Sequence, residues 1–171
     1  MMSKRIGCNL VDNLQSICIC EADFNFFTKV LGLQTMQHAE NNNLLALEQY
    51  RSHPSKCSID HAAHKWLWYD LLRQQRQPGA MCSNGAISCF DHVVHSIASL
   101  VYQQLGIPLP PVSTMLKTVQ SMRYHIRSSY GDLIFYLAKD NSLIPFQGVL
   151  QGCGSSPTTW VIISTSLLNI L

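Results

Sequence analysis

The strongest structural signal in this chain lies near its C-terminal end, in the segment Phe146-Gln147-Gly148-Val149-Leu150-Gln151-Gly152-Cys153-Gly154-Ser155-Ser156-Pro157. A strand-like run leads there into a glycine-rich turn, and the Ser-Ser-Pro sequence then favours the start of a helix. The glycines at 148, 152 and 154 allow another backbone or a nucleotide to approach closely. Gln151 adds a side-chain amide with both donor and acceptor atoms. The segment therefore predicts a strand, a turn that can contact a ligand, and a helix.

The composition predicts one folded domain. Of the 171 residues, 47% are hydrophobic and only 13% are charged, whereas soluble domains usually carry roughly 25% charged residues. Residues 141–171 contain no charged side chain. Two interpretations are open: a last helix buried in the core, or a chain cut within a larger fold, so that the last helix has lost its partner. We expect the second.

The charge pattern only weakly indicates a polyanionic partner. A net charge of +2 and an isoelectric point near 8.2 are too mild to establish one. Between residues 109 and 131 the charged residues are Lys117, Arg123 and Arg127. We expect the two arginines on one helix face, where they could contact phosphates or form a solvated edge beside apolar residues.

The cysteines indicate a reducing compartment. They number seven and form no Cys-x-x-Cys pair, and the sequence after Met1 lacks the apolar run of a signal peptide. We therefore expect reduced thiols in an intracellular protein, cytoplasmic or nuclear. The segment Trp160–Leu171 is too short and too polar to span a bilayer of ~30 Å, so no membrane partner is expected. Cys18 and Cys20 are expected on opposite faces of one strand.

Hydrophobic spacing and turn residues predict a helix-rich α+β fold with short strands, in the order β-α-α-β-α-α-β-β-α. The predicted helices are Glu21–Glu40, one capped by Ser58 and ended by Pro78-Gly79, Asp91–Leu105, one begun by Pro110-Pro111 with an apolar stripe from Val112 to Ile126, and one after Ser156-Pro157. The predicted strands are Leu10–Cys20, Ala80–Asn84, Leu133–Leu137 and Leu143–Leu150. Trp66 and Trp68 are expected in the core or at its boundary.

Four motifs along the chain resemble one family. They are Gln49-Tyr50…Ser52, Ile59-Asp60-His61-Ala62, the strand-to-helix segment Cys82–His95, and the Gln-Gly…Ser-Pro segment 151–157. In this order and spacing they resemble the reverse transcriptases of retroelements, particularly the non-LTR retrotransposon type, over nearly the whole chain. The resemblance implies part of a right-hand polymerase with a small, mostly antiparallel sheet. Residues 1–78 would be fingers-like and 79–171 palm-like, and the chain would end before the Asp-Asp hairpin.

The resemblance implies RNA-directed DNA synthesis, with an RNA template and a DNA primer as partners. In the family two Mg²⁺ ions, bound through carboxylates, neutralise the attacking hydroxyl and the leaving pyrophosphate. This chain departs from that pattern, because the expected aspartate of the palm strand is Gly85, which has no ligand atom. Asp91 is expected to face elsewhere, and Asp132 and Asp140 form no adjacent pair. We therefore predict no bound metal and no polymerase activity from this chain.

Three positions keep the family's pattern for binding a nucleotide. Phe90 corresponds to the bulky ring that tests for a ribose 2′-hydroxyl, and Gln151 and Gly152 correspond to the nucleotide pocket. Taken alone, Phe90 would be an ordinary core residue, and Gln151-Gly152 an ordinary turn. The fingers arginine that would hold the triphosphate corresponds here to Gln15.

Two other functions are open. A non-catalytic nucleic-acid-binding remnant would use Lys117, Arg123 and Arg127. A small α+β interaction domain would carry the motifs by chance, and then Gly85 and Gln151 need not be close in space. The histidine pairs 61/64 and 92/95 have zinc-ligand spacing but lack further ligands at suitable spacing, so we expect no zinc.

Overall fold

The computed structural model describes residues 2–3, 14–15, 17–50, 56–81, 86–128, 131–137 and 145–169. Within these residues the fold is α+β, with five helices and two small antiparallel sheets. The helices are α1 (Ala22–Asn41), α2 (Ser58–Gln75), α3 (His95–Gln104), α4 (Leu109–Ser121) and α5 (Ser156–Leu168). The strands are β1 (Met2–Ser3), β2 (Leu14–Gln15), β3 (Tyr124–Ser128) and β4 (Gly131–Leu137). The predicted helix-rich α+β class is confirmed.

The main core lies among α1, α3, α4 and α5. Its buried apolar residues are Leu31, Val101, Tyr102, Ile107, Val112, Met115, Leu116 and Ile162. The predicted apolar stripe of α4 is buried at Val112, Met115, Leu116 and Val119, because residues three and four apart share one side of a helix. A smaller cluster of Val93, Ala98 and Val149 lies next to it.

Helix α4 ends earlier than its apolar stripe suggested. The backbone at Met122 is extended, with φ −65° and ψ 149°, and Ile126 lies in β3. The run Tyr124, His125 and Ile126 has aromatic and β-branched residues, which favour a strand over a helix. Strand β3 pairs antiparallel with β4, with a register shift between His125 and Arg127. The predicted strand 133–137 is confirmed within β4.

Helices α1 and α5 pack closely because small residues lie between them. A Cβ atom at Gly154 would lie 2.6 Å from Lys29 Cα, and one at Gly32 would lie 3.1 Å from the Gly154 oxygen. The Thr158 hydroxyl donates to the Gly32 carbonyl at 3.2 Å. Over Ser156–Thr165 helix α5 carries buried residues, so the expectation of a last helix without a partner is wrong over that range.

Helix α2 presents its apolar side chains to solvent. None of its residues is buried, and Trp66 is 74% exposed, so the expected core position of Trp66 is wrong. Trp68 is half-buried and lies against Gly79. The capping residue is Cys57 rather than Ser58. Hydrogen bonds from the thiol and the backbone amide of Cys57 lower the pKa of Asp60.

Three predicted strands differ from the structure. Residues 145–150 are irregular, and Ala80 and Met81 form no strand; the remaining residues of those two predictions, 143–144 and 82–84, lie outside the described residues. Within the predicted strand 10–20, Leu14 and Gln15 are in a strand and residues 17–20 are irregular, while residues 10–13 and 16 lie outside the described residues. In the described part of the chain, none of the helices combines the length and hydropathy that a membrane span requires.

Replacing Tyr102 with phenylalanine should lower the free energy of unfolding by about 1 kcal/mol, because one buried hydrogen bond is lost. The Tyr102 hydroxyl lies 2.8 Å from Thr159 Oγ1, which itself donates to the Ser155 carbonyl, so Tyr102 is the donor. Urea unfolding at neutral pH measures the loss. Tyr69→Phe, at a half-exposed ring, is the matched control and should have little effect.

The same variant should change the response of stability to alkali. Burial raises the pKa of Tyr102 to about 12. Its neutral hydroxyl therefore stabilises the fold fully below the unfolded pKa of about 10, and this contribution is lost as pH rises through the folded value. Between those values the free energy of unfolding of the wild type should fall more steeply than that of Y102F. Equal slopes would contradict this.

Candidate functional site

The segment that leads into the glycine-rich turn is held by two side chains, Gln120 and His95. Gln120 Nε2 donates to the Phe146 carbonyl at 2.7 Å, and the Phe146 amide donates to Gln120 Oε1 at 3.0 Å. Gln120 Nε2 also lies 2.7 Å from His95 Nδ1, and His95 Nε2 lies 2.7 Å from the Gly148 carbonyl. Because the Gln120 amide nitrogen can only donate, His95 Nδ1 accepts, and Nε2 has the proton that it donates to the Gly148 carbonyl. We call this group the Gln120 clamp; it consists of His95, Gln120, Phe146 and Gly148.

Residues 148–149 pair with residues 90–93, which precede α3. The Gly148 amide donates to the Val93 carbonyl and the Val149 amide donates to the Phe90 carbonyl, both at 2.7 Å. These carbonyls are thus engaged by another segment rather than by a helical turn, and α3 starts at His95 instead of the predicted Asp91. Gly148 has φ +91°, and a Cβ atom there would lie 2.9 Å from the Asp91 oxygen. Glycine is needed at 148 for both reasons.

The backbone of Cys18 contacts the turn at Gln151 and Gly152. The Cys18 amide donates to the Gln151 carbonyl at 2.7 Å. Gly152 has φ +112°, and a Cβ atom there would lie 2.4 Å from the Cys18 carbonyl oxygen. The missing side chain at 152 therefore allows residues 17–20 to lie directly against the turn.

A cavity of roughly 370 Å³ lies where these segments meet. All three residues that the sequence predicted to bind a nucleotide line it. Its lining residues are Ile17, Phe90, Gln151, Gly152, Cys153, Ser156 and Pro157. Phe90 and Gln151 come from distant parts of the sequence and are brought together by the pairing of 90–93 with 148–149. The volume lies within the range of about 300–1,000 Å³ typical of small-molecule sites.

Asp91 lies beside this cavity, which corrects the expectation that it faces elsewhere. Its carboxylate oxygens are 3.4 and 3.5 Å from Gln151 Nε2, within reach of a long, charge-assisted hydrogen bond. Gly85 lies outside the described residues, and so does the side chain of Gln15. Among the residues that the structure describes, no three His, Cys, Asp or Glu side chains are grouped so that they could hold a metal ion.

The predicted basic residues do not share a helix face. Lys117 is exposed on α4 and lines a second cavity of about 360 Å³ between α3, α4 and residues 145–147. Arg123 follows α4, and Arg127 lies in β3, so their predicted common helix face is wrong. Arg127 Nε and Nη2 contact the two Asp132 carboxylate oxygens at 2.6 and 3.1 Å. The hydrogen bond from Arg127 lowers the pKa of Asp132, and this bidentate pair competes with any phosphate for the guanidinium.

Two further motifs have partners that the sequence did not reveal. The Gln49 side chain donates to Ser164 Oγ of α5 at 2.7 Å. The Tyr50 hydroxyl hydrogen-bonds to His64 Nδ1, and the rings of Tyr50 and His61 are 4.9 Å apart. The histidines of α2 therefore pack on Tyr50, and His95, from the other pair, belongs to the Gln120 clamp.

Sequence reasoning missed both His95 and Gln120 as positioning residues. Neither lies in the motif that they hold, because Gln120 is on α4 and contacts a backbone segment far along the chain. One hint was present in the sequence: His95 and Gln120 are polar residues on helices with apolar faces, and a polar side chain in such a position needs hydrogen-bond partners.

The chain matches no protein-family model, no curated protein and no solved structure. The cavity and the residues that line it are therefore the evidence for its function.

Replacing Gly152 with alanine should destabilise the fold by more than the same change at Gly131. Both glycines have positive φ, but a Cβ atom at Gly131 meets nothing within 4 Å. Gly131→Ala should therefore cost about 1–2 kcal/mol of backbone strain, and Gly152→Ala about 1–3 kcal/mol more from overpacking against Cys18. Urea unfolding of both variants measures the difference. Equal losses would mean that Cys18 does not lie against the turn.

Proposed function

We propose that this chain is a reverse transcriptase-like domain of a retroelement, and that the cavity at Phe90 and Gln151 is its site for an incoming deoxynucleotide. By descent its activity would be RNA-directed DNA synthesis, with RNA template and DNA primer as partners. Residues 1–78 would be fingers-like and 79–171 palm-like. The observation that carries the proposal is the convergence of Phe90, Gln151 and Gly152 on one cavity.

Each of these residues has a role that its chemistry supports. The Phe90 ring, half-buried at the cavity wall, would occupy the space that a 2′-hydroxyl needs, and so favour deoxyribose over ribose. The Gln151 amide can donate and accept hydrogen bonds, and the nearby Asp91 carboxylate favours one orientation of its NH₂ group. Gly152 lets residues 17–20 lie against the turn, which places Ile17 at the cavity wall.

The residues at the cavity do not fit the two Mg²⁺ ions of the family. Asp91 is a carboxylate beside the cavity, but its oxygens lie against the Gln151 amide. The position that corresponds to the family's palm-strand aspartate is Gly85. We therefore derive no metal-dependent step, and we propose binding without polymerisation for this chain.

Binding of dUTP and UTP, which differ only at the 2′ position, tests the nucleotide site when measured on the purified chain by saturation-transfer NMR and equilibrium dialysis. We expect dUTP to bind more tightly than UTP, and Phe90→Ala to reduce this preference. Gln151→Ala should weaken both ligands about fivefold, because losing one hydrogen bond costs about 1 kcal/mol.

Matched controls are available on the surface. Phe26→Ala removes an aromatic ring that is 70% exposed on α1, and Gln104→Ala removes an exposed amide at the end of α3. Neither should change binding. Binding that is absent, or that responds equally to the site and control variants, would refute the nucleotide site.

Primer extension on an RNA template, with Mg²⁺ or Mn²⁺, tests the predicted lack of polymerisation. We expect no incorporation above a heat-denatured sample, since losing metal-bound carboxylates removes several kcal/mol or more of transition-state stabilisation. Gly85→Asp, which restores one carboxylate, should remain inactive because one ligand does not hold two ions. Incorporation by the wild type that Gln151→Ala abolishes would contradict the prediction.

A purely nucleic-acid-binding role has less support. It was based on Lys117, Arg123, Arg127 and the lysines of the fingers-like part. The two arginines lie outside α4, and Arg127 is paired with Asp132. Contacts with template and primer therefore remain part of the proposal above and do not constitute a separate function.

A further inference from the structure

The thiols of Cys18 and Cys20 lie next to each other beside the cavity wall. Their sulfur atoms are 3.8 Å apart, with the Cys20 thiol donating to Cys18 Sγ, and both residues are half-buried. In a regular strand, alternate residues on this spacing would share one face, with the intervening side chain on the other. The expectation that the two thiols lie on opposite faces of one strand is therefore wrong, because the sulfurs are in contact.

The geometry allows a disulfide without rearrangement of the core. A disulfide needs its sulfurs about 2 Å apart, so the two atoms must approach by roughly another 2 Å. Residues 17–20 belong to no strand or helix. Cys18 is held through its backbone amide by Gln151, and the hydrogen bonds described above do not hold the backbone of Cys20. Bringing the sulfurs together therefore requires a local change at Cys18 and Cys20.

We propose that Cys18 and Cys20 form a redox-active dithiol, which a low-molecular-weight disulfide of the glutathione type converts to an intrachain disulfide. The site is separate from nucleotide binding and does not depend on it. Since Ile17 lines the cavity and Cys18 is bonded to Gln151, the new bond would form directly behind the cavity wall.

The exchange proceeds in two balanced steps. The Cys18 thiolate attacks one sulfur of the oxidised glutathione, its S–S bond breaks, and one glutathione thiolate leaves. Cys20 then loses its proton to solvent and attacks Cys18 Sγ in the mixed disulfide, expelling the second glutathione thiolate. Two protein thiols are oxidised and one glutathione disulfide is reduced to two thiols.

The order of attack follows from the contact between the two sulfurs. Burial, the nearby Cys18 sulfur and their hydrogen bond raise the pKa of Cys20 to about 12. Cys20 therefore keeps its proton and donates a hydrogen bond to Cys18 Sγ. Cys18 is the attacking residue and Cys20 the resolving residue.

Peptide mapping of the intact chain after treatment with oxidised glutathione tests the proposal. A protease that cleaves after Asp and Glu releases residues 13–21, which contain Cys18 and Cys20 and no other cysteine. We expect this peptide to be lighter by two hydrogen atoms and to carry no glutathione. The peptide 49–60 contains Cys57, an exposed thiol, and should carry a stable glutathione adduct under the same conditions.

Single variants identify the two roles. In Cys20→Ser the glutathione adduct on Cys18 should persist, and in Cys18→Ser the Cys20 thiol should react at least about tenfold more slowly than Cys57. Cys57→Ser is the matched control and should leave disulfide formation in peptide 13–21 unchanged. Because the wild-type map needs no variant, a misfolded mutant would not obscure the result.

Treatment of the same chain in urea shows whether the fold builds the site. The ratio of intrachain disulfide to mixed disulfide in peptide 13–21 should fall by about tenfold when the two sulfurs are no longer held together. The proposal is overturned if peptide 13–21 keeps two free thiols, or carries glutathione on both, once Cys57 has reacted fully. An unchanged ratio in urea also overturns it.

Discussion

The side-chain amide of Gln120 holds the segment on which the candidate site depends. It bonds to both backbone groups of Phe146 and to the His95 ring, and His95 in turn bonds to the Gly148 carbonyl. This half-buried amide satisfies a backbone donor and a backbone acceptor at once, and so replaces the ladder bonds that the irregular segment lacks. Without those bonds the segment would have unsatisfied backbone groups against α3 and α4. The position of the following turn would then not be fixed.

From the clamp, a series of close backbone approaches leads to the cavity. Gly148 lies against Asp91, and Gly152 lies against Cys18. Each approach is possible because a side chain is missing, and each also uses a positive φ that other residues adopt at a cost. The result places Phe90 opposite Gln151 and brings residues 17–20, with their two thiols, to the back of the cavity wall. The proposed nucleotide site and the proposed dithiol thus share one structural cause, although their chemistry is independent.

The carboxylates of Asp91 and Asp132 have different neighbours from those that a polymerase site needs. Asp91 lies near an amide rather than near a second carboxylate, and Asp132 binds the guanidinium of Arg127. The hydrogen bond from Arg127 lowers the pKa of Asp132 and so favours its ionised form without a metal. This arrangement agrees with the proposal of nucleotide binding without polymerisation.

The sequence by itself determined the helices with strong apolar spacing, α1 and α4, and the start of α5 at Ser156-Pro157, because spacing and proline placement act over a few residues. It also determined that residues 148–154 form a glycine-rich turn. Only the tertiary structure decided where α3 begins, that 145–150 is no strand, and that Arg127 pairs with Asp132. Those outcomes depend on hydrogen bonds between residues far apart in the chain, and a local pattern contains no information about such partners. The contact of Cys18 with Gln151 and Gly152 belongs to the same group, because it depends on residues far apart in the chain.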